Sequence, residues 1–329
     1  MDYFIQKGNR IVCELCRHHC QLKNEQIGIC GVEKNVDNSL VNLTYGRPSA
    51  LAIDPIEKKP LYHFFPSSDI LSLGTVGCNF HCPFCQNYEI SQTRTVETTR
   101  YIAPEEIVQL AIEHNSPSIA YTYNEPTVFY PYAYDIGQIA KEKGVKNVFV
   151  SSGYQSEKTL EDMQSWVDAI NVDLKSFNPN YYKKTLGTKL EGVLDTLKIL
   201  AHSNIWLEVT TLVIEGVNDS DAELSAIAEF ISKELGNHVP WHISAFHPDY
   251  KMLDTAYTSA HTLKRAYEIG KKAGLSFVYE GNINIPNETF CPQCDTLLIE
   301  RNRFTTTKNI LSNGHCPNCN RKLEGVFHD

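Results

Sequence analysis

Three cysteines in one short loop, Cys78, Cys82 and Cys85, constrain this chain more than any other feature. They follow an apolar run, Ile70 to Val76, of the length of a buried strand. A loop leaving a strand is where an α/β protein presents its chemistry. The C-x3-C-x2-C spacing lets thiolates converge on a single metal centre. A structural zinc or a closed iron–sulfur cluster takes four such ligands, yet the next cysteine is Cys291. Three protein ligands on a four-iron cluster leave one iron open to something other than protein. Two plainer readings use the same residues: His81 completes a Cys3His zinc site, or the thiols are buried and inert. The flanking Gly77, Asn79 and Pro83 make a poor core pattern and speak against inertness.

At 329 residues and 42% apolar content the chain has room for one large core and two small modules. We divide it into residues 1–66, an N-terminal four-cysteine module and an extended segment; residues 67–285, a core barrel; and residues 286–329, a small metal module. A net charge of −9 and a pI near 5.7, with no long Lys/Arg block, disfavour a nucleic-acid partner. No apolar run is long enough to cross a membrane, and the start lacks a secretory signal. A cytoplasmic protein is expected. Eleven cysteines in groups of four, three and four suit metal coordination in a reducing compartment better than disulfides.

The first group is Cys13, Cys16, Cys20 and Cys30, whose four thiolates close either a zinc site or an auxiliary iron–sulfur cluster. The last group repeats one C-P-x-C turn, Cys291/Cys294 and Cys316/Cys319, at both ends of an apolar hairpin containing Leu297–Ile299. Asp295 and Asn320 follow the two pairs and tolerate the left-handed conformation such turns need. This reads as a zinc ribbon, since so short a stretch needs a metal to fold. Between the first two groups, Asp54-Pro55-Ile56-Glu57-Lys58-Lys59-Pro60 reads as an extended segment with solvated charges, because its two prolines forbid a regular helix.

From Ile70 to about Glu280, strand-like runs alternate with helical patterns. The strands are expected at Ile70–Val76, Ser118–Tyr123, Asn147–Ser151, Ala169–Leu174, Ile205–Val213, His242–Phe246 and Phe277–Tyr279. The helices are expected at Pro104–Glu113, Val128–Lys143, Glu157–Trp166, Leu190–Ala201, Asp219–Leu235 and Thr258–Lys272, with Asn218 or Asp219 as the cap of the fifth. Such alternation implies parallel strands with the site at their C-terminal ends, in a barrel or a doubly wound sheet. Several strand ends are polar: Glu125, Ser152-Gly153, and Asp173 with Lys175, which share one face of an extended segment.

The cluster motif, with the aromatic Phe84 before its third cysteine, resembles the signature of the radical S-adenosylmethionine (SAM) superfamily. The resemblance implies a partial (β/α)6 TIM-like barrel and a [4Fe–4S] cluster on Cys78, Cys82 and Cys85. SAM would chelate the open iron and be cleaved by one electron to a 5′-deoxyadenosyl radical. It also assigns cofactor contacts to Phe84, Glu125, Ser152, Gly153, Asp173, Lys175 and His247. Glu125 stands where relatives carry Gly-Gly-Glu; this chain has Tyr123-Asn124-Glu125 instead.

Four features together are similar to the radical SAM member of the AmmeMemoRadiSam system. They are C-x2-C-x3-C…C-G, D-P-I-E-K-K-P, S-L-G-T-V-G-C-N-F-x-C-x-F-C-Q-N and Y-T-Y-N-E-P-T. That likeness implies Memo-like and Ammecr-like partners and an electron donor such as flavodoxin or ferredoxin. The expected function is hydrogen abstraction from a small molecule or a protein. The alternatives are a glycyl-radical enzyme activating enzyme and, from another class, a non-catalytic zinc-binding scaffold.

Overall fold

A computed structural model describes residues 3–96 and 100–327. Its first parallel strand is β7 (Asp69–Gly74), where every residue after Asp69 is buried, as in a strand covered on both faces. To one side run β8 (Ser118–Tyr121), β9 (Lys146–Ser151), β10 (Ala169–Asp173), β11 (Trp206–Val213), β12 (Trp241–Ala245) and β13 (Val278–Gly281), all parallel. To the other side β6 (Ala50–Pro55) pairs antiparallel with β7; of the stretch Asp54–Pro60 expected to be extended, only Asp54 and Pro55 belong to this edge strand, and Ile56–Lys58 turns as a short 3-10 helix.

The strand order runs from β6 to β13 without a reversal, which excludes a doubly wound sheet. Laid flat, a sheet would separate β7 from β13 by about 29 Å at the usual strand spacing. Yet residues just after β7, β8, β10 and β13 line one cavity, so the sheet curls. β6 and β13 do not pair with each other, and the barrel stays open.

The helices that wind it span Pro104–Glu113, Tyr130–Glu142, Glu157–Met163, Leu190–Ala201, Asp221–Phe230 and Ala260–Lys272. The fifth is shorter than its apolar pattern suggests, because Ile231–Leu235 loosens into a π turn. Its cap is Ser220, whose hydroxyl accepts the Glu223 N–H, and not Asn218 or Asp219. Asn218 instead ties two strand ends, donating to the carbonyls of Lys175 and Leu212.

The foot of the open barrel is closed by chain from both flanking regions. Glu208 on β11, fully buried, accepts N–H groups from Tyr62, His63, Trp206 and His242. Burial alone would push this carboxyl up; the donors, His242 first, outweigh it and hold it below its ordinary value. His63 is satisfied as a neutral ring: Nδ1–H donates to the Glu324 carbonyl and Nε2 accepts the Tyr279 hydroxyl. The C-terminal strands β14 (Pro286–Phe290), β15 (Leu297–Asn302) and β16 (Thr305–Asn309) form a separate antiparallel sheet. From it the fully buried Arg301 reaches Thr289 Oγ1 and the Tyr62 carbonyl.

At the other end of the chain β1 (Phe4–Lys7), β2 (Arg10–Cys13) and β3 (Gln21–Lys23) make a small sheet beside the hairpin of β4 (Glu33–Val36) and β5 (Ser39–Asn42). This module docks through Tyr3 on Asp162, Leu15 on Ser156 and Thr159, and Asn42 on the Val128 carbonyl. Among the described residues no helix is long and apolar enough to cross a membrane.

Burial holds the His63 imidazolium down to about 4, against about 6.5 when unfolded. As pH falls, the unfolded chain takes up this proton first, so stability present above pH 6.5 is lost on approach to 4. Denaturant melts at pH 7 and pH 5 should differ by about 2 kcal/mol from this residue. A His63→Gln protein should show a smaller difference, and an equal one would remove His63 as the cause.

Candidate active site

The cysteine loop leaves β7 through Gly77, at φ 88°, where a Cβ would lie 2.7 Å from both the Cys30 carbonyl oxygen and Val32 Cγ1. Only glycine fits that approach. Asn124, buried after β8, braces the loop. Its Nδ2 donates to the Gly77 carbonyl at 2.7 Å and to Thr75 Oγ1, and its Oδ1 accepts the Thr75 N–H. Asn87 Nδ2 ties the far side of the loop to the Tyr123 carbonyl at 2.8 Å, and Gln92 holds the Phe80 carbonyl.

Cys78, Cys82 and Cys85 line one cavity of about 270 Å³ together with Phe84, Glu125, Ser152, Asp173 and Lys175. Burial pushes the Cys82 thiol up to about 12 and the Cys78 thiol up as well, so metal binding must displace both protons. Lys175 and Asp173 form an ion pair of 2.9 Å at the end of β10, with Lys175 Nζ 6.0 Å from the Phe84 ring centre. Burial pulls the ammonium down, but Asp173 and the neighbouring Cys82 outweigh it and keep Lys175 charged. Thr210, Leu212, Ser244 and Asn282 complete the wall. The buried Thr210 hydroxyl has no hydrogen-bond partner among the described residues.

Glu125 is buried in the same wall and raised by that burial. Its Oε1 accepts from Thr127 N–H and Oγ1, and its Oε2 from the Ser152 N–H at 2.7 Å. Ser151 Oγ lies within reach of both oxygens but has one hydrogen to give. Gly153, at φ 71°, does not line the cavity; it turns the chain beneath it, where a Cβ would lie 2.7 Å from Val172 Cγ1. His247 also stands outside its lining, 2.9 Å from Gln86 Nε2, and lines a neighbouring pocket that shares Asn282 with the cavity.

The Tyr-Asn-Glu sequence meets the backbone need of a glycine by other means. Tyr123 adopts φ 69°, a strained value for a bulky residue. Its hydroxyl donates to Asp54 Oδ2 at 2.8 Å, and Lys59 Nζ lies 4.7 Å from its ring centre. Asp54, Glu57 and Lys59 are buried, which overturns their reading as solvated charges. The Lys59 and Asp54 charges pair at 2.8 Å. The D-P-I-E-K-K-P phrase is therefore a brace under the loop that bears Glu125. Sequence reasoning missed Asn124, Thr210 and Ser244; the available signal was a polar residue in or just after a strand of the main sheet.

The remaining cysteines stand in two places. Cys291, Cys294, Cys316 and Cys319 have their sulfurs within 4.8 Å of one another, a set able to hold a metal ion. Asp295 and Asn320 have φ 56° and 61°, the left-handed values expected of these turns. Cys13, Cys16, Cys20 and Cys30 line a smaller cavity beside the main cleft.

Residues 72–228 match the family model "Radical SAM superfamily". An uncharacterized protein of Methanocaldococcus jannaschii is 42% identical over 99% of both chains. The chain belongs to the radical SAM superfamily. It is thus an enzyme of the class that carries a [4Fe–4S] cluster and SAM, and the three-thiol cavity with one ligand position open fits that donor set.

The pyruvate formate-lyase 1-activating enzyme of Escherichia coli K12 is 21% identical over 62% of this chain and 89% of its own. A radical SAM methyltransferase from Sphaerobacter thermophilus shares the fold, with a TM-score of 0.51 at 16% identity over 67% of this chain and 68% of that one.

Because Asn124 makes three hydrogen bonds to the chain around Gly77, Asn124→Ala should loosen the cluster loop. Iron release to a chelator should be at least about tenfold faster, the worth of a single buried hydrogen bond of about 1.4 kcal/mol. Unchanged release kinetics would leave the loop's hold to its thiolates alone.

Proposed function

We propose that the chain cleaves SAM reductively at the three-cysteine cavity to abstract hydrogen from a small-molecule or protein substrate, as an enzyme of the AmmeMemoRadiSam type. One observation carries this reading: three thiols converge on a cavity with no fourth, beside an opposed pair of charges at a strand end. Bound there, the cluster and SAM supply one-electron cleavage of the sulfonium C–S bond. The protein's own part is binding, orientation and exclusion of water.

Lys175 offers an ammonium to the SAM carboxylate, and Asp173 offers acceptors to its ribose. Both contacts would be charge-assisted in a partly buried site. Glu125 takes the SAM ammonium on Oε2, where the single Ser151 hydrogen leaves a lone pair to spare. Phe84 packs beside the adenine, Ser152 and Gly153 shape the turn around it, and His247 acts through Gln86. The unpartnered Thr210 hydroxyl is a further acceptor or donor for whatever fills the cleft.

The motifs shared with the AmmeMemoRadiSam enzyme support Memo-like and Ammecr-like proteins as partners. Relatedness to activating enzymes supports a flavodoxin or ferredoxin as the electron source. That same relatedness supports glycyl-radical activation as a second reading, which a glycyl radical formed in an added partner would favour. Zinc is the metal proposed for the C-terminal four cysteines.

The test is anaerobic reconstitution with iron and sulfide, then measurement of 5′-deoxyadenosine under dithionite and SAM; none formed would overturn the proposal. Lys175→Met and Glu125→Gln should retain iron and raise the SAM dissociation constant roughly ten- to 150-fold, the worth of one charge-assisted contact. Wild-type affinity in both would assign these residues to substrate or structure.

A further inference from the structure

We propose, on the SAM-cleaving reading of the three-cysteine cavity, that a second cavity beside it receives the substrate, a small molecule held through a carboxylate or phosphate group by Arg303. The second cavity has a volume of about 310 Å³ and shares Asn282 with the first. At about 30 Å³ for each water it has room for about ten, the bulk of a small metabolite. Asn282 is fixed where the two meet, its Nδ2 donating to the Ala245 carbonyl at 3.1 Å. One side chain therefore marks the boundary, and a molecule anchored in the second cavity has only Asn282 to pass on its way to the first.

Two parts of the chain far apart in sequence build its walls. The barrel supplies His247 after β12 and Gly281-Asn282 at the end of β13, and the C-terminal sheet supplies Arg303 and Phe304, the two-residue turn between β15 and β16. That turn is firmly mounted. Arg301 donates to the Tyr62 carbonyl at 2.7 Å, and Asn287 on β14 donates to the Glu280 carbonyl while accepting the Glu280 N–H. Phe304 carries the contact onward: its ring centre lies 6.0 Å from Nζ of Lys58, a residue that lines the cluster cavity. Arg303 adopts φ 53° at a turn position that ordinarily belongs to glycine, so backbone ease does not select an arginine there.

The two cavities differ in charge. The first contains Glu125 and Asp173 as well as two lysines, whereas the second contains a guanidinium and no carboxylate, in a chain of net charge −9. Arg303 Nε donates to Asn284 Oδ1 at 3.1 Å, which orients the guanidinium and leaves both terminal nitrogens without a partner among the described residues. Those nitrogens form a fork that matches two oxygens of a carboxylate or phosphate. Gln86 Nε2 donates to His247 Nε2, so the ring carries its proton on Nδ1, a second donor with no partner among the described residues. Unspent donors with no acid among them suit an oxyanion and repel no part of it.

Arginine labelling tests the site on the full chain, anaerobically reconstituted and loaded with SAM. Phenylglyoxal reacts with guanidinium groups, and peptide mass mapping reads Arg303 separately from Arg100, an exposed arginine that lines neither cavity. Succinate or inorganic phosphate at about 10 mM, against chloride of equal ionic strength, should slow labelling of Arg303 about tenfold, the value for a dissociation constant of about 1 mM, and leave Arg100 unchanged. Protection by succinate alone assigns a carboxylate substrate, by phosphate alone a phosphorylated one, and by both the oxyanion chemistry they share. Protection by neither, or equal protection at Arg100, overturns the proposal. Asn284→Asp sets a carboxylate beside Arg303 and should abolish the protection; its persistence would overturn the site as well. Arg303→Gln should bind SAM with unchanged affinity, and a dissociation constant raised about tenfold would give this cavity to SAM instead. A chain that protects Arg303 yet forms no 5′-deoxyadenosine would lose the SAM-cleaving reading and keep the anion site without its substrate role.

Discussion

Glu208 sets the condition under which an open barrel can be stable here. A sheet that stops at β13 without closing on β6 leaves its lower mouth to be filled, and the filling is polar backbone from Tyr62 and His63. Such N–H groups cannot be buried unpaired without cost. One buried carboxylate accepts both of them and also two ring N–H groups from its own strand and the next. The price is a charge kept from water, offset by four donors, and removing such a partner typically costs about 3–5 kcal/mol. Arg301 from the C-terminal sheet then covers the same segment from below. The C-terminal module with its four clustered cysteines is thus tied to the barrel through a polar network, in which its strands supply Thr289 and Arg301.

At the upper mouth the same segment serves the chemistry. Residues 54–59 run from the edge strand toward the foot, and on the way Asp54 and Lys59 grip Tyr123. That grip maintains a left-handed backbone at a tyrosine, a conformation that otherwise belongs to glycine. The next two residues depend on it: Asn124 holds the cluster loop, and Glu125 holds the end of β9 while facing the cleft. One continuous stretch of chain therefore links the barrel's closure to the shape of the site. Strain at such a position is kept only where surrounding contacts over-determine it.

Much of this architecture was legible in the chain. Pro104–Glu113 and Leu190–Ala201 have the ends their apolar periodicity suggests, and each barrel strand begins within a residue or so of its apolar run. The left-handed turns at Asp295 and Asn320 follow from residue type alone. The charged D-P-I-E-K-K-P phrase was misread for a definite reason. Its partners lie far off in sequence: Tyr123 is 69 residues from Asp54, and Thr306 is 249 from Glu57. No local pattern distinguishes a buried ion pair from a solvated one when the burying surface comes from elsewhere.

The sequence by itself determined which short loops can gather thiolates, and where strands and helices run, because ligand spacing and hydrophobic period act over a few residues. Only the tertiary structure decided which polar strand ends meet. It put Asp173, Lys175 and Glu125 around the cysteines and left Gly153 and His247 outside the cavity. It also brought the four C-terminal sulfurs, carried on two turns 21 residues apart, within 4.8 Å of one another. The physical reason is the same in both cases. Distances between side chains on separate loops are set by the packing of the elements that carry them, and that packing involves residues a hundred or more positions apart.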